Sequence, residues 1–162
     1  MVDLKKEYNL DNLIKKLNLI KKDNICIGFT NGCFDLLHKG HIFSLAEAKK
    51  KCDYLIVGIN SDNSVSKLKG PNRPIDNQII RVKKLSNVKN VDAIIIFYDE
   101  TPLEIIKKIN PNILFKGTDY KNQIIVGSEF VLQNGGKIEL IDILSGYSTS
   151  NMIKNFSIKN KI

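Results

Sequence analysis

The 162-residue sequence has no tryptophan, only two histidines, two arginines and three cysteines. It also lacks any apolar run near the roughly 20 residues that a membrane-spanning helix needs. Cys26, Cys33 and Cys52 are odd in number and form no CxxC pair, which excludes a disulfide framework and a cysteine-based zinc site and leaves three small thiols to be packed. Two histidines with no suitably spaced cysteine or acidic cluster do not complete a zinc site either. The opening MVDLKKEYNL has no apolar core of the kind a secretion signal carries, so a cytoplasmic chain with no membrane partner is expected.

Arginine is scarce while lysine is abundant, and the formal net charge is +8. Such a charge attracts nucleic acid through its phosphates. Base readout, however, favours the arginine fork, and no aromatic residues interleave with the lysines to form a stacking surface. No nucleic-acid partner is therefore expected, and the lysines read as a solvated coat that tolerates small anionic ligands.

What is present is a core. Hydrophobic residues make up 43% of the chain, enough for one globular domain of this length. Residues 1–24 read as a leading amphipathic helix, because Leu10, Leu13, Ile14, Leu17 and Ile20 recur at helical spacing across about 9–22. Residues 25–162 read as the domain proper, in which strands alternate with helices. Apolar, partly β-branched runs at Ile25–Phe29, Tyr54–Ile59, Ala93–Phe97, Ile113–Phe115 and Lys137–Ile141 predict five strands. Helical patterns follow at His41–Cys52, from Asn60 to about Lys67, at Gln78–Leu85, after a capping box at Thr101–Glu104, at Gly127–Leu132 and from Ser148 onward. The expected fold is α/β: one Rossmann-like, doubly wound parallel sheet with helices on both faces, whose ligands gather at the carboxyl ends of the strands.

The sharpest local feature is HKGH, His38–His41, after the first strand and at the opening of a helix. Two imidazoles three residues apart at a helix start face one point, where backbone N–H groups and the helix dipole already favour an anion. Histidines that merely cap the helix are the competing reading. GYSTS, Gly146–Ser150, repeats the arrangement before an apolar stretch of Met152, Ile153 and Phe156, its hydroxyls and open amides suited to phosphate oxygens or to plain helix capping.

TNGCFDLLHKGH, INSD, KLKGPNRPI, KGTDY and GYSTS, in that order, resemble the HxGH nucleotidyltransferase superfamily. More narrowly they resemble the D-glycero-β-D-manno-heptose 1-phosphate adenylyltransferase domain of lipopolysaccharide heptose synthesis, over about Ile25–Phe156. The resemblance implies transfer of AMP from ATP to that sugar phosphate, giving ADP-heptose and pyrophosphate for lipopolysaccharide or another surface glycan. It assigns His38 and His41 to charge stabilisation at the α-phosphate and Lys49 to the triphosphate. Thr30, Asn31, Gly32, Phe34 and Gly40 join the histidines in nucleotide binding, Lys116, Gly117 and Asp119 border the base and ribose, and Ser148, Thr149 and Ser150 hold the outer phosphates. Asp35, Lys67, Lys69, Arg73 and Arg81 fall to the acceptor. Mg²⁺ is expected on the phosphates, with Asp35 as a candidate ligand. The implied partners are ATP, a sugar phosphate, a second copy of the chain in a homodimer, and a separate sugar kinase acting upstream.

Two positions depart from neighbouring patterns. Thr118 stands where these domains commonly have glycine. Ile143 and Leu144 stand where the glycerol phosphate cytidylyltransferases usually carry an arginine, which favours the heptose branch. Two other readings stay open: a cytidylyl- or guanylyltransferase acting on another sugar or polyol phosphate such as glycerol 3-phosphate, and a non-catalytic nucleotide- or nucleic-acid-binding module.

Overall fold

The computed structural model describes residues 6–144. The helix expected from Ser148, and the GYSTS motif with it, lie outside those residues.

The chain runs α1 (Leu10–Ile20), β1 (Ile27–Gly32), α2 (Lys39–Lys49), β2 (Tyr54–Asn60), α3 (Asp62–Lys69), α4 (Gln78–Ser86), β3 (Ala93–Phe97), α5 (Leu103–Ile109), β4 (Ile113–Gly117), α6 (Ser128–Gln133) and β5 (Lys137–Ile141). The five strands form one sheet in the order β3-β2-β1-β4-β5, every pairing parallel. The first half of the chain therefore builds outward from β1 on one side, then crosses back to place β4 on the other. The reversal lies between β1 and β4, where the connections leave in opposite directions and open a crevice at the carboxyl ends of the strands.

Alternation along each strand divides the core in two. Leu55, Val57, Ile59, Ile94, Ile113 and Phe115 face one layer with Leu45 and Ala48 of α2 and Val82 and Leu85 of α4. Phe29, Ile56, Ile95 and Leu114 face the other with Leu13 and Leu17 of α1 and Ile105, Ile106 and Ile109 of α5. Helices thus cover both faces, as the alternating pattern predicts. Leu13 is 0% and Leu17 1% exposed; burying a leucine side chain contributes about 1.5–3 kcal/mol, which fixes the leading helix as part of the core. Asn9 caps α1 by accepting from the Asn12 N–H.

The segment before α1 also has work. Glu7 bridges Ile94 in parallel register, Tyr8 N–H donates to the Ile94 carbonyl at 2.9 Å, and Ile94 N–H donates to the Lys6 carbonyl at 2.7 Å. Strand β3, outermost on its side, is thereby partly paired along its outer edge.

Two local expectations are corrected. The apolar run from Ile25 was expected to end at Phe29 in a turn, but β1 continues through Thr30, Asn31 and Gly32, which pair with Val57, Gly58 and Ile59. The Thr101–Glu104 capping box does not form: α5 begins at Leu103, its cap is Pro102 and no side chain bonds the helix end, while Glu104 pairs with Lys107. Proline fixes the entry of the chain but carries no hydroxyl to accept the open amides.

Candidate active site

Strands β1 and β4 carry their motif residues directly to the carboxyl edge of the sheet. There a cavity of about 410 Å³ is lined by Thr30, Asn31, Gly32 and Phe34 from the end of β1 and by Lys116, Gly117 and Asp119 from the end of β4. His38, Gly40 and His41 from the start of α2 close one side, and Lys69 at the end of α3 closes another. Its volume suits a nucleotide-sized ligand.

His38 and His41 make a reciprocal cap. The His38 N–H donates to His41 Nδ1 at 3.3 Å, and the His41 N–H donates to His38 Nδ1 at 3.4 Å. The rings stack with centroids 3.7 Å apart, and Phe34 packs against His41 at 5.2 Å. A ring whose Nδ1 accepts carries its proton on Nε2 when neutral. Burial, with the neighbouring His38 and Lys69, pulls His41 down to about 4, and burial lowers His38 as well. Near neutral pH both rings are therefore uncharged N–H donors. Sequence reasoning weighed capping against catalysis; the geometry makes one the means of the other, since capping orients both rings beside the cavity.

Asp35 follows with an unusual backbone: Phe34 and Leu36 on either side of it have φ of +49° and +57°. The Asp35 carboxylate, 1% exposed, accepts from the backbone N–H groups of Ile75 and Asp76 and from Arg73 Nε at 2.6 Å. Burial alone would raise its pKa, but those two amides and the guanidinium outweigh it and hold the carboxyl below its ordinary range. Asp35 thus ties the KLKGPNRPI loop down beside the cavity. Asp35 itself lines the cavity, but a carboxylate already engaged by a cation and two amides does not fit as a metal ligand. Arg73 is likewise committed to Asp35.

Three other assigned residues stand elsewhere. Arg81 is 1% exposed: Nη1 donates to the carbonyls of Cys33 and Asn60, Nη2 to Asp62 Oδ1 and Nε to the Asp76 carbonyl. It braces the ends of β1 and β2 rather than meeting an acceptor. Lys67 lines a separate hollow with Asn63, Leu68, Tyr98 and Glu100. Lys49 is at the wrong end of α2, where its Nζ pairs with Asp92 Oδ2 at 2.6 Å and donates to the Asp53 carbonyl, beside the amino ends of β2 and β3. Eleven helical residues separate the two ends of α2, about 16 Å at 1.5 Å per residue. Lys49→Met is accordingly expected to leave kcat and both KM values within about twofold while costing about 1 kcal/mol of stability, the scale of a partly exposed ion pair. Steady-state kinetics beside a urea titration checks it, and a tenfold loss of turnover with unchanged stability would restore the triphosphate role.

Sequence reasoning missed several wall residues, including Cys33, Ser44, Leu45 and Ile143. Ser44 and Leu45 were within reach, standing three and four residues after His41 on the same face of α2. Cys33 was read only as a packed thiol; it lines the cavity, and burial raises its pKa.

Among the described residues no three histidine, cysteine or acidic side chains gather as a metal site, and no helix is long and apolar enough to cross a membrane.

The cytidylyltransferase-like family model matches residues 29–154. The bifunctional protein HldE of Nitrobacter hamburgensis is 46% identical over 144 residues, which span 89% of this chain and 29% of that protein. The bifunctional protein HldE of Caulobacter vibrioides is 51% identical over 127 residues, 78% of this chain and 26% of that protein. The chain thus spans less than a third of these curated relatives. Among solved structures, the lipopolysaccharide core biosynthesis protein from Thermoplasma volcanium superposes with a TM-score of 0.60 at 25% identity, covering 76% of this chain and 99% of that one.

Proposed function

The chain belongs to the cytidylyltransferase-like family, and from that premise we propose that it transfers AMP from ATP to D-glycero-β-D-manno-heptose 1-phosphate, releasing pyrophosphate. The observation that carries this reading is the pair of mutually capped, neutral imidazoles beside a nucleotide-sized cavity at the reversal of strand order. An acceptor phosphate oxygen attacks the α-phosphorus, the bond from that phosphorus to the bridging oxygen of the β-phosphate breaks, and pyrophosphate leaves with the electron pair. Nucleotidyl transfer asks the protein mainly for alignment and charge stabilisation. Two fixed N–H donors and the lysines of the wall supply both, with no enzyme nucleophile.

The heptose substrate is supported by the order and spelling of the five motifs and by the similarity to the HldE proteins. Mg²⁺ belongs to the same proposal, carried in on the triphosphate oxygens, where it would neutralise charge on the departing pyrophosphate; Asp35 does not fit as its ligand. The acceptor is itself a product of phosphoryl transfer, so a kinase activity must come before this one. The proposal further includes a cytoplasmic location, where ATP is present, and a homodimer, which light scattering can weigh.

The test is a label-transfer assay with ATP and the heptose 1-phosphate. Label on the α-phosphate is expected in the sugar product, and label on the γ-phosphate in pyrophosphate. A γ-label found on the sugar would make the protein a kinase and sink the reading. Faster transfer from CTP or GTP, or to glycerol 3-phosphate, would install the alternative transferase instead.

A further inference from the structure

One cation in the cavity has only neutral groups in direct contact with it. Lys116, at the end of β4, donates from Nζ to the Asn31 side-chain oxygen at 2.6 Å and lies 5.1 Å from the centre of the Tyr120 ring. Among the described residues it forms no ion pair. The two arginines nearby are committed, Arg73 to Asp35 and Arg81 to three carbonyls and Asp62, the two imidazoles are uncharged, and Lys69 at the end of α3 is the other ammonium on the wall. An ammonium taken largely out of water, with only the longer-range pull of Asp119 to offset the loss, is costly until an anion arrives to pair with it.

Its position says which anion. Asn31 ends β1 and Lys116 ends β4, so their hydrogen bond spans the crevice where the strand order reverses. His38 and His41 stand at the same crevice. Nucleotidyl transfer brings two phosphates together there, and their mutual repulsion needs a full positive charge, which neutral imidazoles do not provide.

We propose that Lys116 binds a phosphate of the reacting pair, trading the Asn31 amide oxygen for a phosphate oxygen, while Asn31 and Tyr120 hold the ammonium in place until the ligand enters. The role differs from the base-and-ribose contact expected of the KGTDY motif, and it rests on reading the cavity as a nucleotidyl-transfer site.

A proton linkage follows. Burial lowers Lys116 to about 8, against the opposing pull of Asp119 and Cys33. The other groups facing it along the cavity wall are His38 and His41 of α2 and Lys69 of α3, while Glu139 of β5 is paired outside with Lys51 and Lys137. An entering phosphate raises the Lys116 pKa again, so above pH 8 binding draws in a proton, and affinity falls as pH rises through that value.

Calorimetric titration with MgATP, and in a second arm with inorganic pyrophosphate, at pH 8.5 in two buffers of different ionisation enthalpy, tests this directly. Wild type is expected to take up about three-quarters of a proton per ligand, the fraction a group titrating near 8 has lost at that pH. Lys116→Met is expected to take up none, to lose the alkaline limb of kcat/KM near pH 8, and to turn over on the order of tenfold to a hundredfold more slowly. Circular dichroism confirms that the variant is folded. Asn31→Asp, which gives the ammonium a permanent carboxylate partner, is expected to weaken both ligands and abolish the uptake. A folded Lys116→Met with wild-type turnover or an intact alkaline limb would overturn the proposal, as would wild-type binding of both ligands without proton uptake. If proton uptake depends on Lys116 but no triphosphate yields nucleotidyl transfer, the phosphate site stands and the functional reading falls.

Discussion

Replacing His38 and His41 together by alanine is expected to lower turnover at least a hundredfold, the scale of losing preorganised donors at a developing charge, while costing about 1 kcal/mol of stability for the lost helix cap. Each ring fixes the other through a backbone N–H, so either single variant also releases the surviving ring. The single losses should therefore sum to more than the double loss, as for groups that act as one unit. The pH dependence sharpens the expectation. An ordinary imidazole would impose an acid limb near 6.5, but His41 titrates near 4 and burial lowers His38 as well, so any acid limb that the pair imposes on kcat/KM should lie below 6.5. Stability behaves differently: between about 6.5 and 4 the unfolded chain binds a proton that folded His41 refuses, so stability falls as pH drops through that window and is complete above it. Rate profiles and denaturant midpoints from pH 4.5 to 9 check both statements. Near-normal turnover in a folded double variant, or an acid limb centred at 6.5, would refute the assignment.

Arg81→Met is expected to be the most destabilising single change in the site region, at about 3–5 kcal/mol, because it strands Asp62 and leaves three inward carbonyls without donors. For a chain of this size that is a fall of about 10 °C in Tm. Arg81→Lys keeps the charge but not the fork, and should recover only part. A direct acceptor contact would give the opposite pattern: Arg81→Lys would keep its Tm and raise the acceptor KM alone. Scanning calorimetry beside acceptor titrations distinguishes the two.

The histidine pair and Arg81 show what was legible in the chain and what was not. HKGH is a local feature: cap, spacing and helix start are all decided within four residues, and the site was found from them. Strands β3 and β5 were read with their observed limits, since apolar runs bounded by turn residues report a local pattern. Arg81 gave no such signal, because its partners at Cys33, Asn60 and Asp76 come from three segments that only the folded sheet brings together. Asp35 looked like a turn residue for the same reason, although its amide partners lie 40 and 41 residues away. Lys49 was misplaced by a different fault: helical spacing reports the face of a helix and says nothing of which end meets the ligand. The ends of β1 and β4 were cut short because Thr30–Gly32 and Lys116–Gly117 are polar or glycine, as turns are. They stay in the sheet because parallel neighbours pair with them.

Lys116→Met has a second consequence, opposite in sign to its effect on turnover. The displacement from an ordinary 10.5 to about 8 corresponds to about 3 kcal/mol at neutral pH, of which roughly 1–2 kcal/mol survive screening at a half-buried site. Because the folded pKa is the lower one, the penalty is full below pH 8 and fades as pH rises toward 10.5. The variant should thus melt higher than wild type at pH 7, with the difference closing in alkali. Stability is given up at this position for a charge placed where the ligand needs it.

The pairing of Lys6–Tyr8 with β3 bears on the behaviour of many molecules rather than one. β3 reads Ala-Ile-Ile-Ile-Phe, a short, uncharged, β-branched segment of the kind that recruits like segments from other chains once its amides and carbonyls are open. The leading residues occupy part of that edge with backbone of the same molecule, which makes them gatekeepers of solubility in a crowded solution.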